Sequence, residues 1–173
     1  MALAYVSLGS NLDPEANLLR ALRLLSQRVR LVALSTVYRT PAEGRPEQPD
    51  FYNAVLAIET ELPPRALKYE VLRAIEAELG RRRGPDRYAA RPIDLDLLLY
   101  GGMVVEEEGL TLPDPELTRR SFLARPLLEL EPSVVLPGSG AKLQEVIGHL
   151  SSEDMHALAD FTARAREEVG HEP

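Results

Sequence analysis

Apolar residues come in two spacings along this chain, and the spacings alternate. Short apolar runs cover Leu3 to Leu8, Leu31 to Tyr38, Phe51 to Thr60 and Ile93 to Tyr100, each of strand length and three of them ended by turn residues. Between them lie two helical stripes. Leu18, Leu22, Leu25 and Val29 form the first, and Asp13-Pro14 ahead of it predicts an N-cap followed by proline at the first helical position. Leu67, Val71, Ile75 and Leu79 form the second, opened by Pro63-Pro64 and stopped by Gly80 at the position just past a helix end.

The resulting order, β-α-β-β-α-β, predicts an α+β protein of the ferredoxin-like kind: an antiparallel sheet with the helices packed on one face, plus a C-terminal extension. In the extension, Gly101-Gly102 turns the chain into a short strand around Met103 to Val105. A proline-bounded stretch with Arg119 and Arg120 follows, then a buried-looking segment from Phe122 to Leu130 and a helix near Leu143 to Leu150. Met155, Leu158, Phe161 and Val169 predict a last amphipathic helix. We expect one domain over residues 1–173, with residues 151–173 a peripheral helix and polar tail. Two long loops, residues 39–50 and the stretch after Gly80, flank the sheet and could both fold over one of its faces. The first has three prolines and one glycine and exceeds an ordinary hairpin connection, which marks it as functional or mobile.

Composition narrows the picture little and charge narrows it more. Of 173 residues, 45% are hydrophobic and 27% charged, as in ordinary soluble domains. No apolar run approaches the ~20 residues that span a bilayer. The N-terminus has neither the basic start nor the apolar stretch of a signal peptide, and the chain has no cysteine, so the cytoplasm is the expected compartment. A net charge of -7 argues against nucleic acid and anionic membranes as partners. We expect a monomer or weak homo-oligomer.

Against that acidic background, the loop from Gly80 to Arg91 carries Arg81, Arg82, Arg83, Arg87 and Arg91 with the single acid Asp86, the makings of a polyanion site. Beside it, Asp94 and Asp96 interrupt the apolar run Ile93-Asp94-Leu95-Asp96-Leu97-Leu98-Leu99-Tyr100. Side chains two apart on a strand share a face, with Cα atoms about 6.5 Å apart. Leu95 and Leu97 point the other way. Two like charges so placed call for a cation, and Mg²⁺ is the obvious one, since it takes carboxylate oxygens and keeps phosphates as further ligands. A solvated edge strand would leave the same two carboxylates merely wet.

The stretch Arg87-Tyr88-Ala89-Ala90-Arg91-Pro92-Ile93-Asp94-Leu95-Asp96-Leu97-Leu98 resembles the signature of the 6-hydroxymethyl-7,8-dihydropterin pyrophosphokinase family (2-amino-4-hydroxy-6-hydroxymethyldihydropteridine diphosphokinase). Further blocks agree in order: Tyr5 to Leu12, Tyr38 to Pro41 with Gln48 to Ala54, and Leu110 to Pro113 with Arg120 to Phe122. The resemblance implies transfer of pyrophosphate from ATP to the hydroxymethyl oxygen of the pterin in folate biosynthesis, with release of AMP. It implies two magnesium ions on Asp94 and Asp96, and catalytic roles for those two residues with Arg81 and Arg91. It places Glu76, Arg81, Arg83, Tyr88, Arg91, Leu97, Thr111 and Arg120 on ATP. Thr40, Pro41, Glu43, Phe51, Asn53 and Phe122 would bind the pterin, two rings sandwiching it while the Asn53 amide meets its edge.

Three positions depart from the family pattern. Asp114 stands where histidine is usual and would repel phosphates unless it turns away or caps a helix. Tyr88 replaces a tryptophan, and Glu43 replaces an apolar loop residue. The three histidines, His149, His156 and His171, all lie near the C-terminus, which argues against histidine base catalysis. Two other readings fit parts of the pattern. A palm-like nucleotidyl transferase also uses paired strand aspartates but needs a basic template groove. An RNA-recognition module shares the element order but needs aromatic and basic residues on its central strands, where this chain has Asn53 and Glu59.

Overall fold

The computed structural model describes residues 1–170; the last three residues of the expected polar tail, His171 among them, lie outside the described part. The first half of the chain runs β1 (Ala2–Ser10), α1 (Pro14–Ser26), β2 (Arg30–Leu34), β3 (Tyr38–Thr40) and β4 (Phe51–Thr60). A helical stretch follows in three parts: α2 (Pro64–Ala66), a π-helical segment (Leu67–Leu72) and α3 (Arg73–Glu78). Then come β5 (Asp94–Tyr100), the hairpin β6 (Val105–Glu107) and β7 (Leu110–Leu112), and a 3₁₀ turn (Pro115–Thr118). The chain continues through α4 (Ser121–Leu130), α5 (Leu143–Val146), β8 (His156–Ala157) and α6 (Ala159–Arg166).

The main sheet runs β5-β1-β4-β3-β8, with β2 beside β3 on the same edge of β4, and every pairing is antiparallel. This is the expected ferredoxin-like order, with the second strand divided into β2 and β3. Ser35 causes the division. Its backbone N–H still donates to Val55 O at 2.9 Å, but its hydroxyl replaces a ladder carbonyl and accepts the Val55 N–H, also at 2.9 Å. The chain rejoins β4 at Tyr38 opposite Asn53, its register moved by one residue.

Alternation along the strands builds two cores. On one face Ala4, Val6 and Leu8 of β1, Ala54, Leu56 and Ile58 of β4, and Leu95 and Leu97 of β5 pack against α1 and the α2–α3 stretch. On the other face Tyr5, Val55, Ala57, Leu98 and Leu99 pack against Leu117, Leu123, Ala124 and Leu127, with Leu143 and Ile147 behind them. Helices therefore cover both faces: the C-terminal extension supplies the second layer. A bulge makes this possible, since Tyr5 pairs with Leu99 and Val6 with Leu97, so that Leu98 and Leu99 both join the second core.

Several local expectations change. Asp13 precedes α1, but its side chain makes no capping bond and its backbone is left-handed at φ 43°. The Asn17 amide instead donates to Leu12 O at 2.7 Å. The hairpin strand begins at Val105 rather than Met103, and the helix near residue 143 ends at Val146. The last helix, expected at the periphery, buries Phe161 and Ala165 in the first core, and its Thr162 hydroxyl accepts the Val37 N–H at 2.9 Å. Gly80 does stop α3 as expected, at φ +90°. Its N–H donates to Ala77 O and the Arg81 N–H to Glu76 O, a Schellman closure that aims Arg81 back at the sheet.

Candidate active site

The second core stops short of one end of the sheet. There Asn53, Gly9 and Asp94 form one row across β4, β1 and β5, and Val55, Ser7 and Asp96 the next. Gly9 sits in the middle of the floor. A Cβ at that position would lie 2.8 Å from Asn53 Oδ1, so only glycine leaves the asparagine in place.

Asp94 and Asp96 share this face but differ in company. Both Asp94 oxygens are held: Arg81 Nη1 reaches Oδ1 and Arg91 Nη1 reaches Oδ2, each at 2.7 Å. Burial works against the Asp94 carboxylate, yet Arg81, then Arg91 and Arg83, hold its pKa below the ordinary value. Among the described residues Asp96 has only Arg73 as an ion-pair partner, its Nη2 3.5 Å away. Burial first, then Asp94, with Glu76 and Asp114 adding to it, push its pKa up to about 7 despite Arg73. An under-compensated carboxylate beside a neutralised one, both lining cavities, is a donor set that suits a divalent cation. Among the described residues no three His, Cys, Asp or Glu side chains converge as a ready metal cage. The remaining ligands would have to be phosphate or water, the habit of Mg²⁺.

Glu76 lies behind the pair and is 2% exposed. Its Oε2 accepts the Leu95 N–H at 2.8 Å, and its Oε1 accepts Arg73 Nη1 at 3.1 Å and Arg83 Nη2 at 3.0 Å. Arg73 Nη1 also donates to Leu95 O at 2.9 Å.

Three cavities reach one or both carboxylates, and a fourth lies beside them in the arginine loop. All six expected pterin residues (Thr40, Pro41, Glu43, Phe51, Asn53 and Phe122) line the same slot of about 180 Å³. Gly9, Arg87, Tyr88, Ala89, Arg91 and Asp94 complete it. A cavity of about 150 Å³ continues past Asp94 to Asp96, Asp114 and Arg120. A third, about 320 Å³, joins Asp96 to Leu97, Thr111 and Lys68. The arginine loop encloses a fourth of about 190 Å³, with Arg81, Arg83 and Arg91 in its wall.

Glu76 lines none of these four, and Tyr88 sits in the slot with the pterin set rather than with Leu97 and Thr111. Arg120 is held by Glu116 at 2.9 Å and by Glu43 across the slot's rim. Asp114 turns its carboxylate to the Glu116 N–H at 2.9 Å and so caps the 3₁₀ turn, though burial raises its pKa.

The two long loops interlock above the slot. Gln48 Nε2 donates to Tyr88 O at 2.9 Å, and Arg45 pairs with Asp86. Asn11 ties both loops to the floor: its Nδ2 donates to Gln48 Oε1 at 3.1 Å and its Oδ1 accepts the Arg91 N–H at 2.7 Å. The Tyr88 ring lies against Gly44, whose φ of +77° and lack of a Cβ allow the contact.

Sequence reasoning passed over Gly9, Asn11, Gln48, Lys68 and Arg73 as site residues. Asn11 and Gln48 stood inside recognisable blocks. Lys68 is one of only two lysines, and Arg73 lies one helical turn before Glu76.

Fold and site together point to a class, enzymes that transfer phosphate-bearing groups: a slot with two aromatic rings in its wall opens beside a carboxylate pair faced by arginines. The comparisons with known proteins fall in that class. The profile of the 7,8-dihydro-6-hydroxymethylpterin-pyrophosphokinase family matches residues 5–132. A 2-amino-4-hydroxy-6-hydroxymethyldihydropteridine pyrophosphokinase of Haemophilus influenzae is 44% identical over 142 residues, 80% of this chain and 88% of that protein. The folic acid synthesis protein fol1 of Schizosaccharomyces pombe is 37% identical over 92% of this chain, which spans only 22% of that longer protein. Among solved structures, an HPPK-DHPS complex with substrates superposes with a TM-score of 0.68 at 11% identity, over 86% of this chain and 43% of that one. The Plasmodium falciparum HPPK-DHPS with SDX-DHP gives 0.63 at 13%, over 96% and 45%. At such identities the structures speak for the fold. The chain belongs to the 7,8-dihydro-6-hydroxymethylpterin-pyrophosphokinase family.

Proposed function

We propose that this chain transfers the pyrophosphoryl group of ATP to the hydroxymethyl oxygen of 6-hydroxymethyl-7,8-dihydropterin, giving AMP and the pterin diphosphate in folate biosynthesis. One observation carries the reading: a slot lined by Phe51, Phe122 and Asn53 opens at Asp94 onto a half-buried carboxylate pair faced by arginines.

In this reading Phe51 and Phe122 sandwich the bicycle. Asn53 has already given one N–H to Thr40 Oγ1 at 2.7 Å, which fixes its amide and leaves an acceptor and a donor for the ring edge. The hydroxymethyl arm then points past Asp94. The hydroxyl oxygen bonds to the β-phosphorus, the bond to the bridging oxygen on the AMP side breaks, and the hydroxyl proton leaves. Phosphoryl transfer is chiefly positioning and charge neutralisation, and no protein nucleophile is needed. Magnesium, two ions in this reading, would be held by Asp94 and Asp96 and would offset charge on the phosphates. Arg81, Arg83, Arg91 and Arg120 offer guanidinium forks to the phosphate chain. Leu97 and Thr111, with Lys68, would receive the nucleoside end.

No helix among the described residues is long and apolar enough to cross a membrane. The net charge of -7 and absence of cysteine support a cytoplasmic monomer or weak homo-oligomer without nucleic-acid or membrane partners. The test is direct. Purified protein incubated with ATP, Mg²⁺ and the pterin alcohol is expected to release AMP and form the pterin diphosphate. Release of ADP, or no consumption of ATP, overturns the reading.

A further inference from the structure

We infer that Arg73 and Glu76 are positioning residues: together they clamp the backbone of Leu95 and thereby set the separation and aim of Asp94 and Asp96. The inference rests on the metal-carboxylate reading above. β5 is an edge strand, paired through β1 on one side only. Leu95 turns its N–H and C=O to the open side, where a neighbouring strand would otherwise bond them. Glu76 Oε2 takes the N–H at 2.8 Å and Arg73 Nη1 takes the carbonyl at 2.9 Å. Arg73 and Glu76 also bond each other at 3.1 Å, so the contacts close a ring around the backbone of one residue, Leu95. That residue lies between the two that bear the carboxylates.

The two residues stand three apart, one turn along α3, and so face the strand together. Glu76 cannot serve the nucleotide directly while it is 2% exposed and both its oxygens are filled by protein donors. Arg73 has a second hold, its Nη2 lying 3.5 Å from Asp96 Oδ1. Without the clamp the edge of β5 would have two unpaired backbone groups at the point where carboxylate placement matters most. Partners that orient metal ligands typically cost ~10–100-fold in metal affinity or activity when removed.

The test compares wild type with Arg73→Met, Arg73→Lys and Glu76→Gln. Calorimetry with a nonhydrolysable ATP mimic is run in Mg²⁺ and in EDTA, alongside thermal melting and the ¹H–¹⁵N signal of the Leu95 amide. In Arg73→Met and Glu76→Gln, uptake in EDTA is expected to stay near wild type, while the gain conferred by Mg²⁺ falls by ~10–100-fold. Arg73→Lys, which keeps one donor for the Leu95 carbonyl, is expected to restore part of that gain. The Leu95 amide proton is expected to move upfield in Glu76→Gln as its acceptor loses charge. Equal loss of uptake in Mg²⁺ and EDTA would show that these residues contact the nucleotide and would overturn the inference. So would a lower melting temperature with the Mg²⁺ gain intact. If wild type itself shows no Mg²⁺ gain, the metal reading fails first and the clamp has nothing to position.

Discussion

At the scale of single residues, Asp94 and Asp96 are chemically alike and energetically opposed. Asp94 is a stabilising anion that accepts a hydrogen bond from Arg91 and forms an ion pair with Arg81, and its lowered pKa means the folded state favours its charged form. Its contribution is present above the ordinary value of 3.8 and is lost as pH falls through the lowered folded value. Asp96 has the reverse sign. With a folded value of about 7 against 3.8, the folded state binds more protons than the unfolded one between those limits, so stability falls as pH rises through that window. Metal-free Asp94→Asn is therefore expected to melt lower than wild type at pH 8, with a stability loss of about 1.5–3 kcal/mol for the charged hydrogen bond to Arg91. Metal-free Asp96→Asn is expected to melt higher at pH 8 and to converge with wild type near pH 4. Both variants lose turnover. Melting curves of the two asparagine variants shifting in the same direction at pH 8 would contradict this assignment of partners.

At the scale of elements, the 3₁₀ turn shows how a mismatched side chain is accommodated. Asp114 lines the same two cavities as Asp96, yet its carboxylate accepts the Glu116 N–H. Asp114→Ala removes a cap worth about 1 kcal/mol. Asp114→Asn keeps an acceptor for the cap and removes the charge, so it is expected to leave the melting temperature near wild type and tighten uptake of the ATP mimic. Weaker uptake by the asparagine variant would mean that the Asp114 charge itself serves the ligand. Strands and helical stripes were legible because alternation and the 3.6-residue period are local. The shared face of Asp94 and Asp96 followed from that alone. What the local pattern hid has long-range causes. The Leu98 bulge depends on the register between β1 and β5, and the break at Ser35 on a hydroxyl reaching across to β4. The burial of Glu76 depends on arginines from its own helix and from the loop beyond Gly80. Without them, a helical glutamate reads as a solvated one.

At the scale of the whole molecule, the C-terminal extension was the least legible part, because short amphipathic segments do not announce which face they cover. It closes both cores: α4 and α5 complete one, and α6 inserts Phe161 into the other at 4% exposure. Phe161→Ala is expected to cost about 3–5 kcal/mol of stability while leaving the KM values of the folded enzyme near wild type. A variant equally stable but catalytically impaired would make α6 part of the chemistry. The candidate pterin slot, by contrast, was largely visible, since its six residues came as a set with the resemblance and line one cavity.

The cross-ties among Asn11, Gln48, Tyr88 and the Arg45–Asp86 pair have one more result. Neither long loop can swing out without breaking its ties to the other, so the two move as one cover over the candidate pterin slot. Stiffening either loop is expected to slow entry to that slot.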